Sequence, residues 1–242
     1  MTEIITPITA DRNLPKGVPL VASFNDNRNR LSYYHPIIKQ IDGVRTPITE
    51  FHKLSGSLNT VPQIDCRPLT EFMQEVNLRK AFIRGDYSSG KLSQQARVVQ
   101  SQDPVVINQC IAKLVSNLMQ TGRHIGEIIA IREFIPHETE IRYFISNGKI
   151  NYHEKIDKIP KEDLPTEQVQ AIAEVMDTFA WSVDLIKHQK TGKWYCIDMG
   201  LDGLYYNEQT SSWIAISEHP DKNKSPEQYS DDMPNINALK KF

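Results

Sequence analysis

The clearest alternation of apolar and polar positions lies late in the chain, at 181–200, WSVDLIKHQKTGKWYCIDMG. The β-branched run WSVDLI predicts a strand, Thr191-Gly192-Lys193 carries turn chemistry, and the aromatic and aliphatic run KWYCIDM predicts a second strand. Each strand holds one acid, Asp184 and Asp198, among apolar neighbours. A charge there is costly unless something neutralises it, as a divalent cation with its oxygen preference would, or unless the pleat turns the acid to solvent.

A second strand pair is predicted at 127–150, EIIAIREFIPHETEIRYFISNGKI, with one strand ending at Pro136 and a hairpin turning at Ser146-Asn147-Gly148. Arg132, Glu133, Glu138, Glu140 and Arg142 interrupt it. A solvated face explains some of these charges, and the rest point to chemistry. At 80–91, KAFIRGDYSSGK, the strand AFI delivers Arg84 to a loop of small residues ending in Lys91. Backbone N–H groups of such a loop can approach an anion, with Arg84 and Lys91 adding charge, which predicts a phosphate cradle. A plain hairpin loop with a solvated lysine is the alternative. The loop is not a Walker A motif, because Leu92 stands where Ser or Thr is required.

Helical spacing marks Ile107, Ile111, Leu114 and Leu118 as a core stripe, on a helix begun by Asp103-Pro104 and closed by Gly122, with Cys110 packing on the same face. A later helix starts at Thr166 with Val169, Ile172, Val175 and Phe179 as its apolar face. TEFMQEVNL predicts a short helix with Thr70 as N-cap, and the stretch 37–49 a short helix ending near Gly43 before an extended strand. ARVVQ and NYHEKID read as strands, His153 and Lys155 sharing one side of the latter. An edge strand broken at Pro19 is predicted at 18–24.

Composition narrows the class. At 242 residues with 39% hydrophobic content, the chain can bury the core of one larger domain or two lobes. A formal charge of −2 argues against nucleic acid as a partner. Cys66, Cys110 and Cys196 are odd in number and lack C-x-x-C spacing, which predicts reduced thiols, no zinc site and a cytoplasmic protein. The N-terminus shows no leader pattern, and no run of about 18 apolar residues occurs, so neither secretion nor membrane spanning is expected.

The order of these pieces resembles the ATP-grasp superfamily. The motifs that carry the resemblance are the unit Gly43 to Thr49, Arg84 with its loop to Lys91, the hinge strand Arg132 to Ile135, and the late hairpin with Asp184 and Asp198. It covers residues 35 to 205. The fold it implies is α+β, with two lobes of antiparallel sheet and helices holding the nucleotide between them. The implied domains are an N-terminal extension at 1–34, an ATP-grasp domain at 35–217 with lobes at about 35–132 and 133–217, and a flexible tail at 218–242.

The resemblance also implies roles. Arg84 stands where the family commonly places a lysine on the α- and β-phosphates. The loop Asp86 to Lys91, with Ser88, Ser89 and Gly90, is the implied lid over the phosphates. Glu133, Phe134 and Ile135 are the implied adenine hinge, and Glu140 the ribose contact. Arg142 is implied on phosphate or the acyl intermediate, and Lys155 on the triphosphate. Asp184 and Asp198 are the implied Mg²⁺ ligands. Two departures stand out: Gly200 occupies the place of an asparagine that completes the metal set, leaving Asp202 or water to replace it, and Ser182 that of an arginine that steadies the tetrahedral intermediate, a task then open to Arg132 or Arg142.

The implied activity is an ATP- and Mg²⁺-dependent ligase that activates a carboxylate as an acyl-phosphate and joins it to an amine. The acceptor could be a small molecule, a peptide or a protein. The alternative is an ATP-binding assembly chaperone of the cell-division-cycle ATP-grasp type, with a protein partner and little turnover. A nucleic-acid-end ligase would need Lys91 as its adenylylated lysine and a basic groove, which the charge does not favour.

Overall fold

The computed structural model describes residues 27–54, 65–87, 97–120, 127–153, 159–177, 180–202, 204–207 and 212–215. The expected strand at 18–24, the loop residues Ser88 to Lys91, and Lys155, Phe179, Gly122 and the tail at 218–242 lie outside them. The chain divides into two compact units. One comprises 24–140 and 185–198, the other 1–23, 141–184 and 199–242.

In the first unit, after a 3₁₀ turn at Asn27–Asn29, the elements are helix α1 (Leu31–Ile38), strand β1 (Thr49–Lys53), helix α2 (Arg67–Glu75), strands β2 (Ala81–Gly85) and β3 (Val98–Val99), helix α3 (Pro104–Gln120) and strand β4 (Ile128–Glu133). The four strands form an antiparallel sheet of order β1-β4-β2-β3. Period-2 alternation splits β2 and β4 between two faces. Ala81, Ile83, Ile129 and Ile131 join a core with Leu69, Met73, Ile107, Ile111, Leu114 and Leu118 from α2 and α3. Arg84 and Arg132 therefore fall on the opposite face, where α1 packs: His35 meets Phe51 of β1 edge-on, at 5.8 Å between ring centres.

Helix starts and stops follow local chemistry, not always as the sequence suggested. The Asp103 carboxylate caps α3 by accepting from Val105 N–H at 2.8 Å, as the Asp-Pro step predicted. Helix α2 begins three residues before Thr70, because Pro68 in its first turn needs no N–H partner there. Thr70 is buried inside the helix and does not cap it. Helix α1 ends at Ile38, short of Gly43, whose φ of +80° closes the turn that follows.

The second unit contains the β5–β6 turn, helix α4 (Thr166–Val175), and strands β9 (Leu204–Asn207) and β10 (Ser212–Ala215), which pair antiparallel. Strands β5 (His137–Ser146), β6 (Lys149–His153), β7 (Ala180–His188) and β8 (Trp194–Asp202) form a sheet of order β6-β5-β7-β8. The chain passes between the units within β5, β7 and β8. The β5–β6 hairpin turns where expected, Asn147 and Gly148 both taking positive φ as a type I′ turn requires. The apolar stripe of α4 differs from expectation. Val169, Ile172, Ala173 and Met176 are buried, following i, i+3, i+4, i+7, whereas Val175 is 45% exposed one residue off that line.

The fold is thus α+β, built on antiparallel sheets and helices. Among the described residues, no helix is long and apolar enough to cross a membrane. All three cysteines are free thiols, Cys66 and Cys196 buried and Cys110 half-buried against the α2–α3 core.

Candidate functional site

Arg84 and Arg132 arise from neighbouring strands on one sheet face and are both buried. Opposite Arg84 on β4 stands Ala130, and opposite Arg132 on β2 stands Phe82. A buried guanidinium needs partners for its donors. Arg84 Nη1 reaches Asp198 Oδ1 at 2.8 Å, and its Nε donates to the Gly85 carbonyl at 3.1 Å. Arg132 Nε donates to Thr49 Oγ1 at 3.1 Å, and its Nη1 donates to the Ile197 carbonyl, beside Asp198. Helix α1 adds Tyr34, whose hydroxyl donates to the same Asp198 Oδ1 at 2.6 Å.

The electrostatics follow from burial set against charge. For Asp198, burial opposes ionisation, but Arg84, the Tyr34 hydrogen bond and Arg132 outweigh it and hold the carboxyl below its usual range. For Arg84, burial likewise opposes charge, and Asp198 overcomes it, so the guanidinium stays protonated. Burial, with Asp198 next, raises the Tyr34 phenol, which remains a donor. Among the described residues the acceptors of Arg132 are neutral, and burial together with Arg84 lowers it to about 10. Arg97 lies nearby, its guanidinium 4.8 Å over the Phe82 ring and lowered by burial and by Arg84. An anion beside Arg132 and Arg97 would favour their charged forms.

The second unit holds a separate pair. Arg142 on β5 forms a two-pronged bridge with Asp184 on β7, Nε to Oδ1 at 2.6 Å and Nη2 to Oδ2 at 2.8 Å. The carboxylate is the more buried partner, at 13% side-chain exposure against 44%. Each aspartate is thus met by an arginine, a source of neutralising charge that the apolar strands alone did not reveal. Mg²⁺ binds through one or two carboxylates and completes its shell with water and phosphate oxygens. Asp198 in the first unit and Asp184 in the second each have the donor chemistry for it. Among the described residues no group of three or more His, Cys, Asp or Glu side chains comes together as a metal site.

The remaining predicted positions are placed as follows. Glu133 N–H donates to the Ile48 carbonyl at 2.7 Å, and Phe134 N–H to the Lys80 carbonyl at 3.3 Å. Lys80 Nζ also sits 4.0 Å over the Phe134 ring. The carbonyl of buried Ile135 accepts from His137 Nδ1 at 2.8 Å. Glu140 is exposed near the end of the first unit. Asp86, the first residue of the implied lid, is fixed: buried at 1% exposure, it binds the Ser32 N–H and hydroxyl, each at 2.8 Å. Ser182 and Gly200 are neighbours on β7 and β8, the serine hydroxyl donating to the Gly200 carbonyl at 3.3 Å. A Cβ at residue 200 would stand 3.2 Å from that hydroxyl oxygen.

Tyr34 is the site residue that sequence reasoning missed. Its local signal exists: Leu31, Tyr34, His35 and Ile38 are all buried at i, i+3, i+4, i+7. Pro36, inside that stripe, hides the helix.

These features define an α+β protein with an ATP-grasp-like fold. Its fold is similar to that of C-terminally truncated Cdc123 from Schizosaccharomyces pombe, at a TM-score of 0.50 and 10% identity, covering 76% of this chain and 86% of that one. It is similar also to a biotin carboxylase–ATP complex from Campylobacter jejuni, with TM-score 0.50, 13% identity, and coverage of 71% and 40%. The ATP-grasp ligase PsnB, solved with a precursor peptide and AMPPNP, aligns at a TM-score of 0.45 and 12% identity, over 72% of this chain and 49% of that one. The chain thus spans most of the Cdc123 chain and half or less of the other two. By sequence, no protein-family model and no curated protein matches it.

Proposed function

We propose that this protein binds ATP with Mg²⁺ and uses it to activate a carboxylate for joining to an amine. The observation that carries the reading is the cluster in the first unit, where buried Arg84 bridges Asp198 and buried Arg132 bonds the neighbouring Ile197 carbonyl. Such a cluster suits a phosphate chain arriving with a divalent cation, the arginines receiving phosphate oxygens and the carboxylate the metal. In this reaction the carboxylate takes the γ-phosphoryl group of ATP, the amine nitrogen attacks the resulting acyl-phosphate, and phosphate leaves.

Roles for the chain's own residues follow. Arg84 and Lys91 hold phosphate oxygens, with Ser88, Ser89 and Gly90 offering backbone N–H groups above them. Arg142 and Lys155 act on the transferred group, and Asp184 and Asp198 hold Mg²⁺. Glu133, Phe134 and Ile135 meet adenine, and Glu140 meets ribose. Mg²⁺ would supply charge neutralisation at the phosphoryl oxygens. Lys91, Lys155 and the three loop residues enter this reading from the sequence alone, as they lie outside the described residues.

The test is isothermal titration with a non-hydrolysable ATP analogue and Mg²⁺, followed by ADP release across a panel of carboxylates and amines. Wild type should bind, and both Arg84→Ala and the double variant Asp184→Asn, Asp198→Asn should lose affinity. No binding by wild type would end the nucleotide reading. Binding without ADP release from any pair would end the ligase reading alone.

One observation favours a second reading, an ATP-binding assembly factor with little turnover. The two positions at which the sequence departs from the ligase pattern, Ser182 and Gly200, are a bonded cross-strand pair. The implied asparagine of the metal set and the implied arginine of acyl transfer are replaced together, and nucleotide binding can persist without the latter. Pull-down of a stable protein partner, with ATP bound and no ADP formed, would favour this reading.

A further inference from the structure

Helix α1 brings into the cluster a group that the ligase pattern does not assign. Tyr34 is 0% exposed and crosses 164 residues of sequence to donate to Asp198 Oδ1 at 2.6 Å. Arg84 reaches that same oxygen at 2.8 Å. Two donors converging from different elements fix both the position of the oxygen and the plane of the carboxylate.

The helix is itself held. Leu31 N–H donates to the Asp86 carbonyl at 2.9 Å, and the Asp86 carboxylate caps the first turn through both groups of Ser32. Arg30 Nε adds a bond of 2.6 Å to the Tyr87 hydroxyl. A continuous set of bonds therefore runs from Asp86 and Tyr87, at the root of the implied phosphate loop, through α1 to Asp198. A phenol merely filling space would not need a hydroxyl aimed at the one carboxylate that Arg84 also engages.

We infer that Tyr34 is a positioning residue: its hydroxyl holds the Asp198 carboxylate in the orientation that receives the Mg²⁺ of a bound nucleotide. The inference rests on the ATP-binding reading above. Groups that hydrogen-bond a metal-ligating carboxylate typically change metal affinity by about 10- to 100-fold when removed.

The experiment compares wild type with Tyr34→Phe, which keeps the ring and its packing and removes one oxygen atom. AMPPNP binding is titrated calorimetrically at a series of Mg²⁺ concentrations and again in EDTA, with circular dichroism melts on the same samples. Tyr34→Phe should weaken Mg²⁺-AMPPNP roughly tenfold and raise the half-saturating Mg²⁺ in proportion. Its affinity in EDTA should match wild type. Ser32→Ala, which releases one cap bond of α1, should move in the same direction by a smaller factor. Equal Mg²⁺-AMPPNP affinity in Tyr34→Phe and wild type overturns the inference and leaves the nucleotide reading standing. Equal losses with Mg²⁺ and in EDTA overturn it too, because the effect is then general packing. Failure of wild type to bind AMPPNP under any condition overturns the reading and the inference together.

Discussion

Asp198→Asn probes the cluster most directly, because it removes one charge and almost no volume. The substitution leaves Arg84, at 3% side-chain exposure, without its carboxylate partner and with the charge of buried Arg132 close by. Removing one partner of a fully buried pair costs about 3–5 kcal/mol. Asp198 keeps 30% side-chain exposure, so water screens the carboxylate end and brings the expected cost to roughly 2–3 kcal/mol. For a chain of this size that is a fall in melting midpoint of roughly 5–10 °C, readable by circular dichroism.

The pH dependence has a defined sign. The Asp198 carboxyl is held below its usual range, so its stabilisation is complete above the unfolded value near pH 4 and is lost as pH falls through the lower folded value. The gap between wild type and Asp198→Asn should therefore be widest near neutrality and shrink below about pH 4. Asp65→Asn is the control, since the Asp65–Arg67 bridge lies on the surface and its loss should leave the midpoint in place. Melting of Asp198→Asn within a degree of wild type at neutral pH would refute this account of the cluster. A gap that persists undiminished into acid would refute the linkage.

Two further outcomes are expected. Burial and Arg132 lower the His35 imidazole from 6.5 to about 4, so its neutral form is favoured in the folded chain. Stability should fall by about 3 kcal/mol from pH 6.5 to pH 4, and His35→Gln should flatten that slope in urea titrations. The Arg142–Asp184 bridge should respond unevenly. Arg142→Met removes the two-pronged partner of the more buried carboxylate and should cost about 2 kcal/mol, whereas Asp184→Asn removes the charge beside a half-exposed arginine and should cost about 1 kcal/mol or less. Equal costs in denaturant melts would contradict the burial argument.

The legible parts of the fold were those written in short-range pattern. Asn147-Gly148 and Thr191-Gly192 announced their turns because positive φ selects Gly and Asn, and Asn147, Gly148 and Gly192 take it. The α3 stripe from Ile107 to Leu118 was readable because helical spacing and burial coincide there. Thr70 misled because a good capping residue stood close to a proline whose first-turn preference set the boundary. In the site, Arg84 at the end of β2 and the acids of β7 and β8 could be singled out as charges in apolar strands. Their partners could not. The contacts of Asp198 with Arg84 and Tyr34 join residues more than a hundred positions apart, and no local period encodes which buried charge meets which. The sequence argument identified the cost of those charges but not the arginines that meet them.

The Ser182–Gly200 contact bears on how the chain can change by mutation. With 3.2 Å between a would-be Cβ at 200 and the serine oxygen, a side chain there requires the hydroxyl to give way by a few tenths of an ångström. The two positions are therefore coupled: a side chain at 200 costs whatever the Ser182 hydroxyl gives up in moving aside, including its bond to the Gly200 carbonyl.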